Sequence, residues 1–325
     1  MDLRATLLDT TQQVLLYGTT PPRRGSSDEV VQSAAEKLVA RIRPLAVDGI
    51  VVYDIQDESG RTNLPRPFTF TGTIDPRVYS QLLARLSGLP VITYKCVGMA
   101  TEGEWHEWLE ETTRSYGIGY LTIVGRPTSG VRYPLRLSRA IQLAATHEAN
   151  VTVGGVVIAE RHTAERSESA RLLAKGIEGC SYFISQTVYH AHSTVRLLKS
   201  YLRDCRGAGV EPRRIVLTFA PCGREQTMAF IKWLGVNVPP ETERAILSAS
   251  NPLAKSIDVC RENLREILSH DYCNHVPLGI NVESVSINRD EIDATVELFH
   301  ALCELLGERE ATVRQRLAAP GARKA

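Results

Sequence analysis

Polar residues that could do chemistry fall where short apolar runs of the chain end. Carboxylate, amide, hydroxyl and cationic side chains occupy these positions, which are Tyr17, Asp54, Gln56, Asp57, Lys95, Arg126, Thr128, Glu160, His162, Gln186, Tyr189, Thr218, Glu283 and Arg289. Ligands of α/β proteins bind beyond the carboxyl ends of the strands. A set with acids, amides and cations indicates a polar heteroaromatic ligand rather than a hydrocarbon.

Gln186 lies where the strand within the run of residues 181–190 stops. The run lies between two helical patterns, which is the alternation expected of a parallel sheet. Its amide can donate and accept hydrogen bonds, so Gln186 is a candidate for contacting a substrate. The alternative is that this amide only satisfies backbone groups of the loop.

Two loops carry further candidate binding groups. Residues 125–130 form a glycine- and hydroxyl-rich turn in which Arg126 and Thr128 are candidates for holding a phosphate. The loop 59–73 is longer than a connection requires and contains Arg66, so we expect it to form part of a binding wall. A separate turn contains Glu160 and His162. These residues are candidates for an acid–base pair, and a structural ion pair is the alternative interpretation.

No metal site is expected. The pair His190 and His192 has no carboxylate beside it in the sequence. The seven cysteines include no C-x-x-C pair, which argues against structural zinc and a disulfide framework and favours a reducing compartment.

The elements that must position these residues alternate between strand and helix. Strand patterns cover 13–18, 50–55, 90–96, 118–124, 151–158, 181–186, 214–219 and 278–284. Helical patterns cover 28–45, 76–86, 104–116, 134–149, 170–179, 193–207, 224–271 in two or three pieces, and 289–306. Pro239-Pro240 and Asn251-Pro252 mark the breaks in the long helical segment.

Eight strands each followed by a helix predict a single-domain (β/α)8 TIM barrel over residues 1–310, with extra helices between strands seven and eight. A doubly wound open sheet is the competing architecture, but its dinucleotide signature is absent from the first turn. Residues 311–325 are expected to be a mobile tail.

Composition excludes several partners. Lys and Arg number 38 and Asp and Glu number 37, so no basic surface for nucleic acid or anionic membrane is indicated. No apolar run approaches the roughly 18 residues of a membrane span, and the first residues lack the apolar core of a signal peptide. We therefore expect a cytoplasmic protein with a small-molecule partner, and leave a homo-oligomer open.

Several motifs together carry a resemblance to a known family. They are Pro21-Pro22-Arg23, Lys175 with Gly179, Phe183-Ile184-Ser185-Gln186, Pro221 and Ile287-Asn288-Arg289. From about Leu15 to Leu306 the chain resembles methylenetetrahydrofolate reductases, single-domain barrels that pass hydride from NAD(P)H through FAD to a folate. The resemblance implies a tetrahydrofolate derivative as the substrate, with FAD and NAD(P)H as cofactors.

The resemblance also implies roles for individual residues. Gln186 falls on the residue that contacts folate and nicotinamide, and Arg289 falls on the arginine after strand eight. Lys175 and Glu168 fall on positions that help hold the flavin. From position alone, Lys175 also has a simpler interpretation as a favourable cation near the end of a helix.

The sequence departs from the family at two functional positions. Gly18 occupies the place of the acid that protonates the folate, and glycine has no proton to give. Arg126-Pro127 replaces the Gly-Asp of an Arg-Gly-Asp turn whose Asp lies near the flavin, so we expect FAD to be held weakly or not at all. This pattern indicates a divergent, reductase-like branch.

Two functions follow. The first is a folate oxidoreductase that draws its proton from Glu283, Glu160 or Asp54, with Gln186 and Tyr189 among the residues that bind substrate. Glu283 ranks first because the first and last strands of a barrel are neighbours. Strand residues alternate, however, and a surface carboxylate paired with Arg289 or Lys95 is the alternative. The second function is a barrel that binds folate without reducing it.

Overall fold

Eight parallel strands close into a barrel in the computed structural model, which describes residues 2–57, 65–98, 100–125 and 134–318. Each strand pairs with the next in the chain, and the last pairs with the first. The strands are β1 Leu15–Thr19, β2 Gly49–Val52, β3 Val91–Cys96, β4 Tyr120–Val124, β5 Thr152–Val157, β6 Tyr182–Thr187, β7 Arg214–Phe219 and β8 Leu278–Glu283. The predicted (β/α)8 barrel is confirmed, and closure excludes the open sheet.

Helices surround the barrel. They are α1 Leu3–Leu8, α2 Asp28–Ile42, α3 Pro76–Ser87, α4 Glu102–Arg114, α5 Leu137–Ala145, α6 Glu168–Glu178, α7 Ala191–Ala208, α8 Glu225–Trp233, α9 Pro240–Leu247, α10 Pro252–Leu268 and α11 Arg289–Ala318, with 3₁₀ turns at Ala159–Arg161 and Asp271–Asn274. The predicted breaks at the two proline sites divide the segment after β7 into α8, α9 and α10, as expected.

Local signals in the sequence set several helix starts. The Asp75 side chain accepts from the backbone N–H of Arg77, and Pro76 occupies the first turn. Thr101 and Glu104 form a reciprocal capping box at α4. These caps fix where the chain leaves each strand-end loop and enters the outer layer.

Three of the differences from the sequence-based expectation change where an element begins, ends or exists. The short α1 was not predicted at all. β2 ends at Val52, so Tyr53 and Asp54 lie in the loop beyond it rather than in the strand. α11 extends past the expected end at residue 306 to Ala318, so residues 311–318 of the expected tail are helical. Residues 319–325 lie outside the described part of the chain.

The barrel interior is closed at its amino end by α1. Leu3 and Leu7 are 0% and 2% exposed and pack with interior strand residues such as Leu16. Gly49 makes room for this helix, because a Cβ there would meet the Leu3 side chain at 3.0 Å. Arg214 ties the helix down by donating to the Leu7 carbonyl at 3.1 Å. The opposite, carboxyl end is left for function.

A separate apolar cluster supports the helices that follow β7. Met228, Ile231, Val259 and Tyr189 belong to it and are buried. It packs α8 and α10 beside the carboxyl ends of the strands, so α8 contributes residues to the barrel mouth.

Within the described residues, no helix combines the length and apolar character needed to cross a bilayer.

Candidate functional site

A cavity with two lobes lies at the carboxyl ends of the strands. The larger lobe has a volume of about 340 Å³ and the smaller lobe about 240 Å³. Each is close to the size range of small-molecule sites. Both lobes are lined by Tyr53, Asp54, Ile55, Gln56, Leu234, Glu283 and Val285. The two lobes therefore meet at the ends of β2 and β8.

Glu283 stands where the two lobes meet, at the end of β8. Its Cα is paired in register with Gly18 of β1. A Cβ built on Gly18 would lie 3.0 Å from Glu283 Oε2 and 3.0 Å from the Tyr53 hydroxyl. The carboxyl of Glu283 thus fills the space in which a side chain at residue 18 would stand.

The surroundings of Glu283 act on its charge in opposite directions. Burial raises the pKa of the Glu283 carboxyl, while Tyr53, Thr187 and Asn281 act to lower it. Oε1 accepts a long hydrogen bond of 3.5 Å from Thr187. Oε2 is buried and makes no hydrogen bond of ordinary geometry with the described residues. Because its pKa is raised, more of this carboxyl is protonated at a given pH, and the protonated form can donate a proton.

Asn281 holds the Tyr53 hydroxyl beside this carboxyl. Asn281 Nδ2 donates to the Tyr53 hydroxyl at 2.9 Å and lies 3.3 Å from Thr218 Oγ1. Burial, followed by the charge of Glu283, raises the pKa of the Tyr53 phenol well above its ordinary value. Because Asn281 donates to it, the hydroxyl of Tyr53 keeps its own hydrogen for another acceptor.

Gln186 lines the larger lobe at the end of β6. Its Nε2 donates to the Leu234 carbonyl at 2.6 Å. This nitrogen therefore satisfies a backbone group, which is the alternative role considered for Gln186. Its Oε1 is buried and has no hydrogen-bond partner among the described residues. The amide therefore presents one acceptor that a ligand donor could fill.

Of the other two candidate acids, one lines the cavity. Asp54 lines both lobes, but its oxygens already accept from the backbone N–H of Cys96 at 2.8 Å and from Gln56 at 2.7 Å. Glu160 lines neither lobe, although burial raises the pKa of its carboxyl. Asp54 ties the loop after β2 to β3, and Glu283 is left as the acid best placed for proton transfer.

Cationic side chains lie on the far side of the larger lobe. Arg161, Arg171 and Lys175 line it together with the buried Glu168. Lys175 Nζ donates to the Val156 carbonyl at 2.8 Å, and burial lowers the pKa of its ammonium group. Three cations against one carboxylate make this end suited to an anionic group of a ligand.

The smaller lobe is walled by aromatic side chains and Arg66. Phe230 and Trp233 of α8 stack with their ring centroids 5.8 Å apart. The guanidinium of Arg66 lies 4.7 Å from the Trp233 centroid. Arg66, from the loop 59–73 that we expected to form part of a binding wall, lines this lobe.

Several predicted site residues are not brought into the cavity. Tyr189 is 1% exposed, and its hydroxyl donates to the Ala220 carbonyl at 2.7 Å, within the cluster beneath α8. The Arg289 side chain is 91% exposed and pairs with Asp293 at 3.5 Å. His162 lies 3.0 Å from Ser200 Oγ and lines neither lobe. Placement after a strand did not fix the direction of these side chains.

The turn that carries Arg126 and Thr128 lies outside the described residues. No group of three or more potential metal ligands occurs in the part of the chain that the structure describes.

Sequence reasoning missed three residues around Glu283. They are Tyr53, Asn281 and Thr187. Asn281 lies two residues before Glu283 and therefore on the same face of β8. A polar residue two positions before a strand-end acid is a signal that could have indicated a polar network facing inward.

Comparison with known proteins supports this architecture. No protein-family model matches the sequence, and the search of curated proteins gives no match. A solved structure of an uncharacterized protein from Clostridium thermocellum, described as binding two copies of 5-methyl-5,6,7,8-tetrahydrofolic acid, is similar with a TM-score of 0.78 and 29% identity. The match covers 94% of this chain and 99% of that one. A Xanthomonas albilineans dihydropteroate synthase with 4-aminobenzoic acid matches more distantly, with a TM-score of 0.46 and 13% identity over 98% of each chain, which is too low to bear on function.

Proposed function

We propose that this barrel binds a reduced folate in the cavity and carries out one-carbon chemistry on it. In the proposed reaction, 5,10-methylenetetrahydrofolate is reduced to 5-methyltetrahydrofolate with NAD(P)H, as in the reductases that the sequence resembles. The similarity to a barrel described as binding 5-methyltetrahydrofolic acid supports the ligand class. The observation that carries the chemistry is the carboxyl of Glu283, which fills the space above Gly18.

Glu283 would supply the proton of this reaction. Protonation of the folate nitrogen that leaves the methylene carbon opens the ring and produces a methylene iminium, which accepts a hydride. The hydride and its two electrons come from NAD(P)H, and the proton comes from a carboxyl whose pKa is raised by burial. A general acid contributes about 100- to 10,000-fold to such a step.

Other cavity residues would orient the folate. The Gln186 Oε1 would accept from an N–H of the pterin, since this buried oxygen has no partner among the described residues. Asp54 would hold the loop beyond β2 in place through its bonds to Cys96 and Gln56. In this arrangement the pterin lies where the two lobes meet, against Glu283.

If FAD binds, the cationic end of the larger lobe would hold its diphosphate. Lys175 and Arg171 would contact the phosphates, with Arg161 beside them. When bound, the flavin would carry hydride from the nicotinamide to the folate. Lys175 already donates to the Val156 carbonyl, and its ammonium retains further N–H donors for an anion.

A second function is favoured by the form of folate in the similar structure. That protein is described as binding the 5-methyl form, which is the product of a reductase and also a methyl donor. Transfer of the methyl group from N5 likewise needs a proton at that nitrogen, and Glu283 could supply it. A folate-binding transferase is therefore the alternative to the reductase.

An assay of the product separates these functions. The wild type and Glu283→Gln would be incubated with methylenetetrahydrofolate and NADH or NADPH, with and without FAD, and 5-methyltetrahydrofolate measured by mass spectrometry. We expect product from the wild type and at least 100-fold less from Glu283→Gln. A wild type that binds folate but forms no product under any of these conditions would refute the reductase and leave the transferase.

A further inference from the structure

The two ends of the smaller lobe differ in chemistry. The carboxyl groups of Asp54 and Glu283 lie at the end shared with the larger lobe. Arg66 belongs to the part of the lining that the lobes do not share, and it is the one Lys or Arg among the described residues that line this lobe. The lobe therefore suits a ligand with hydrogen-bond donors at one end and an anion at the other.

Aromatic rings hold the guanidinium of Arg66. Its central carbon lies 4.7 Å from the ring centroid of Trp233, 5.2 Å from that of Phe70 and 5.4 Å from that of Phe230. Contacts of this kind stabilise a cation over the face of a ring. The N–H donors of a guanidinium lie in its plane, in a fork that matches the two oxygens of a carboxylate.

The described part of the loop that carries Arg66, from residue 65 onward, is attached to α8. Gln226 Nε2 donates to the Pro67 carbonyl at 2.9 Å, and the ring of Phe68 packs edge-on against Phe230 at 5.3 Å. Trp233 is 3% exposed, so the ring under the guanidinium is itself held by the core. A cation positioned in this way loses less conformational entropy when it binds an anion.

We propose that Arg66 binds the carboxylates of the folate's glutamate tail and is the residue by which this barrel selects a folate over a bare pterin. This inference rests on the proposed function. A folate has a pterin with several N–H donors, an aminobenzoyl ring and a glutamate. The carboxyl groups of Asp54 and Glu283, the ring of Phe230 and the guanidinium of Arg66 would complement these three parts.

Arg289 is the competing residue for this role. The resemblance to reductases implies that the arginine after strand eight binds substrate. Here its side chain is 91% exposed, lines neither lobe and pairs with Asp293 one turn along α11. The two arginines therefore give a direct comparison within one protein.

The test is calorimetric titration of four proteins with two ligands. The proteins are the wild type, Arg66→Gln, Arg66→Lys and Arg289→Gln, and the ligands are 5-methyltetrahydrofolate and 6-methyltetrahydropterin, which has no aminobenzoylglutamate. We expect Arg66→Gln to bind the folate about 10- to 100-fold more weakly, since a hydrogen-bonded ion pair is lost. Pterin affinity should stay within about twofold. Arg66→Lys should lose less because it keeps the charge, and Arg289→Gln should bind both ligands like the wild type.

Unchanged folate affinity in Arg66→Gln would overturn the inference alone, as would a loss confined to Arg289→Gln. An equal loss of pterin and folate binding in both Arg66 variants would also overturn it, because Arg66 would then support the whole cavity instead of the tail. Thermal melting of each variant identifies a folding defect. If Arg66→Gln has such a defect, the folate and pterin affinities of Arg66→Lys decide the outcome. A wild type that binds neither ligand would refute the proposed function as well, which is a distinguishable result.

Discussion

At Glu283, burial and hydrogen bonding shift the pKa of the carboxyl in opposite directions. Burial has the larger effect, so the pKa of the carboxyl is raised in spite of Tyr53, Thr187 and Asn281. A larger fraction of this group is therefore protonated at a given pH than for a carboxyl in water. Ligand binding that excludes more water would raise the pKa further and favour proton donation.

The pH dependence of turnover tests this role. Because the protonated form of Glu283 would be the active one, we expect the rate to fall as pH rises through the raised pKa of this carboxyl. Glu283→Gln should lower the rate at least 100-fold and abolish this alkaline limb. The measurement is a pH–rate profile of folate turnover.

Glu160→Gln is the matched control for that profile. Burial raises the pKa of Glu160 too, but its side chain lines neither lobe. The Glu160→Gln variant should keep the wild-type rate and the alkaline limb of the pH–rate profile. If Glu160→Gln removed the limb and Glu283→Gln kept it, the proton donor would be misassigned.

Gly18 leads to a second prediction. A Cβ at this position would lie 3.0 Å from both Glu283 Oε2 and the Tyr53 hydroxyl. We expect Gly18→Glu alone to crowd two carboxyls together and to lower the free energy of unfolding by about 1 to 3 kcal/mol. Exchanging the residues, with Gly18→Glu and Glu283→Gly in one chain, should recover much of this loss and return the acid to strand one.

Chemical denaturation of both variants measures the effect. A Gly18→Glu protein as stable as the wild type would show that the two positions do not compete for space. Failure of the double variant to recover any stability would point to the same conclusion.

Individual roles were only partly predictable from the sequence. The resemblance to reductases implied that an acid is missing at Gly18, and barrel closure made Glu283 the neighbour of this residue. Which face of β8 carries Glu283 depends on register, which only the assembled sheet settles. Tyr189 and Arg289 show the same limit, since each follows a strand but neither reaches the cavity.

Among the elements, α1 has the clearest structural role. It covers the amino end of the barrel with Leu3 and Leu7, opposite the cavity. We expect Leu7→Ala to lower the free energy of unfolding by about 2 to 5 kcal/mol, because the 2% exposed side chain leaves a cavity in the barrel interior. Leu8→Ala should cost less than about 0.5 kcal/mol, since Leu8 is 46% exposed.

Urea denaturation of the two variants provides the measurement. Equal losses for Leu7→Ala and Leu8→Ala would contradict the role of α1 as a packed cover of the barrel.

Strands and long helices were predictable because their periods repeat over many residues. The eight strands and the divided helical segment after β7 follow from apolar patterning and two proline breaks. The six-residue α1 is too short to show a helical period, and its burial depends on Gly49 and Arg214, which are distant in sequence. Tertiary contacts of this kind leave no local signal.

At the scale of the whole molecule, the closed barrel gathers residues from distant parts of the chain. Gly18, Tyr53, Gln186 and Glu283 come from four different strands or the loops beyond them, and they meet at one end. Anionic groups of a ligand would meet cations on both sides of this point. These are Arg66 in the smaller lobe and the cationic side chains on the far side of the larger lobe. The arrangement suits an elongated ligand with a polar heterocycle near Glu283.

The most direct test of folate binding in this cavity is calorimetric titration of 5-methyltetrahydrofolate into the wild type and Gln186→Ala, with Gln81→Ala on the outer helix α3 as the control. Gln81 donates to the Ser115 carbonyl, away from the cavity. We expect saturable binding to the wild type and to Gln81→Ala, and a loss of about 1 to 3 kcal/mol in binding free energy for Gln186→Ala. No binding by the wild type, or equal affinity in the wild type and Gln186→Ala, would contradict a folate held against Gln186 and Glu283.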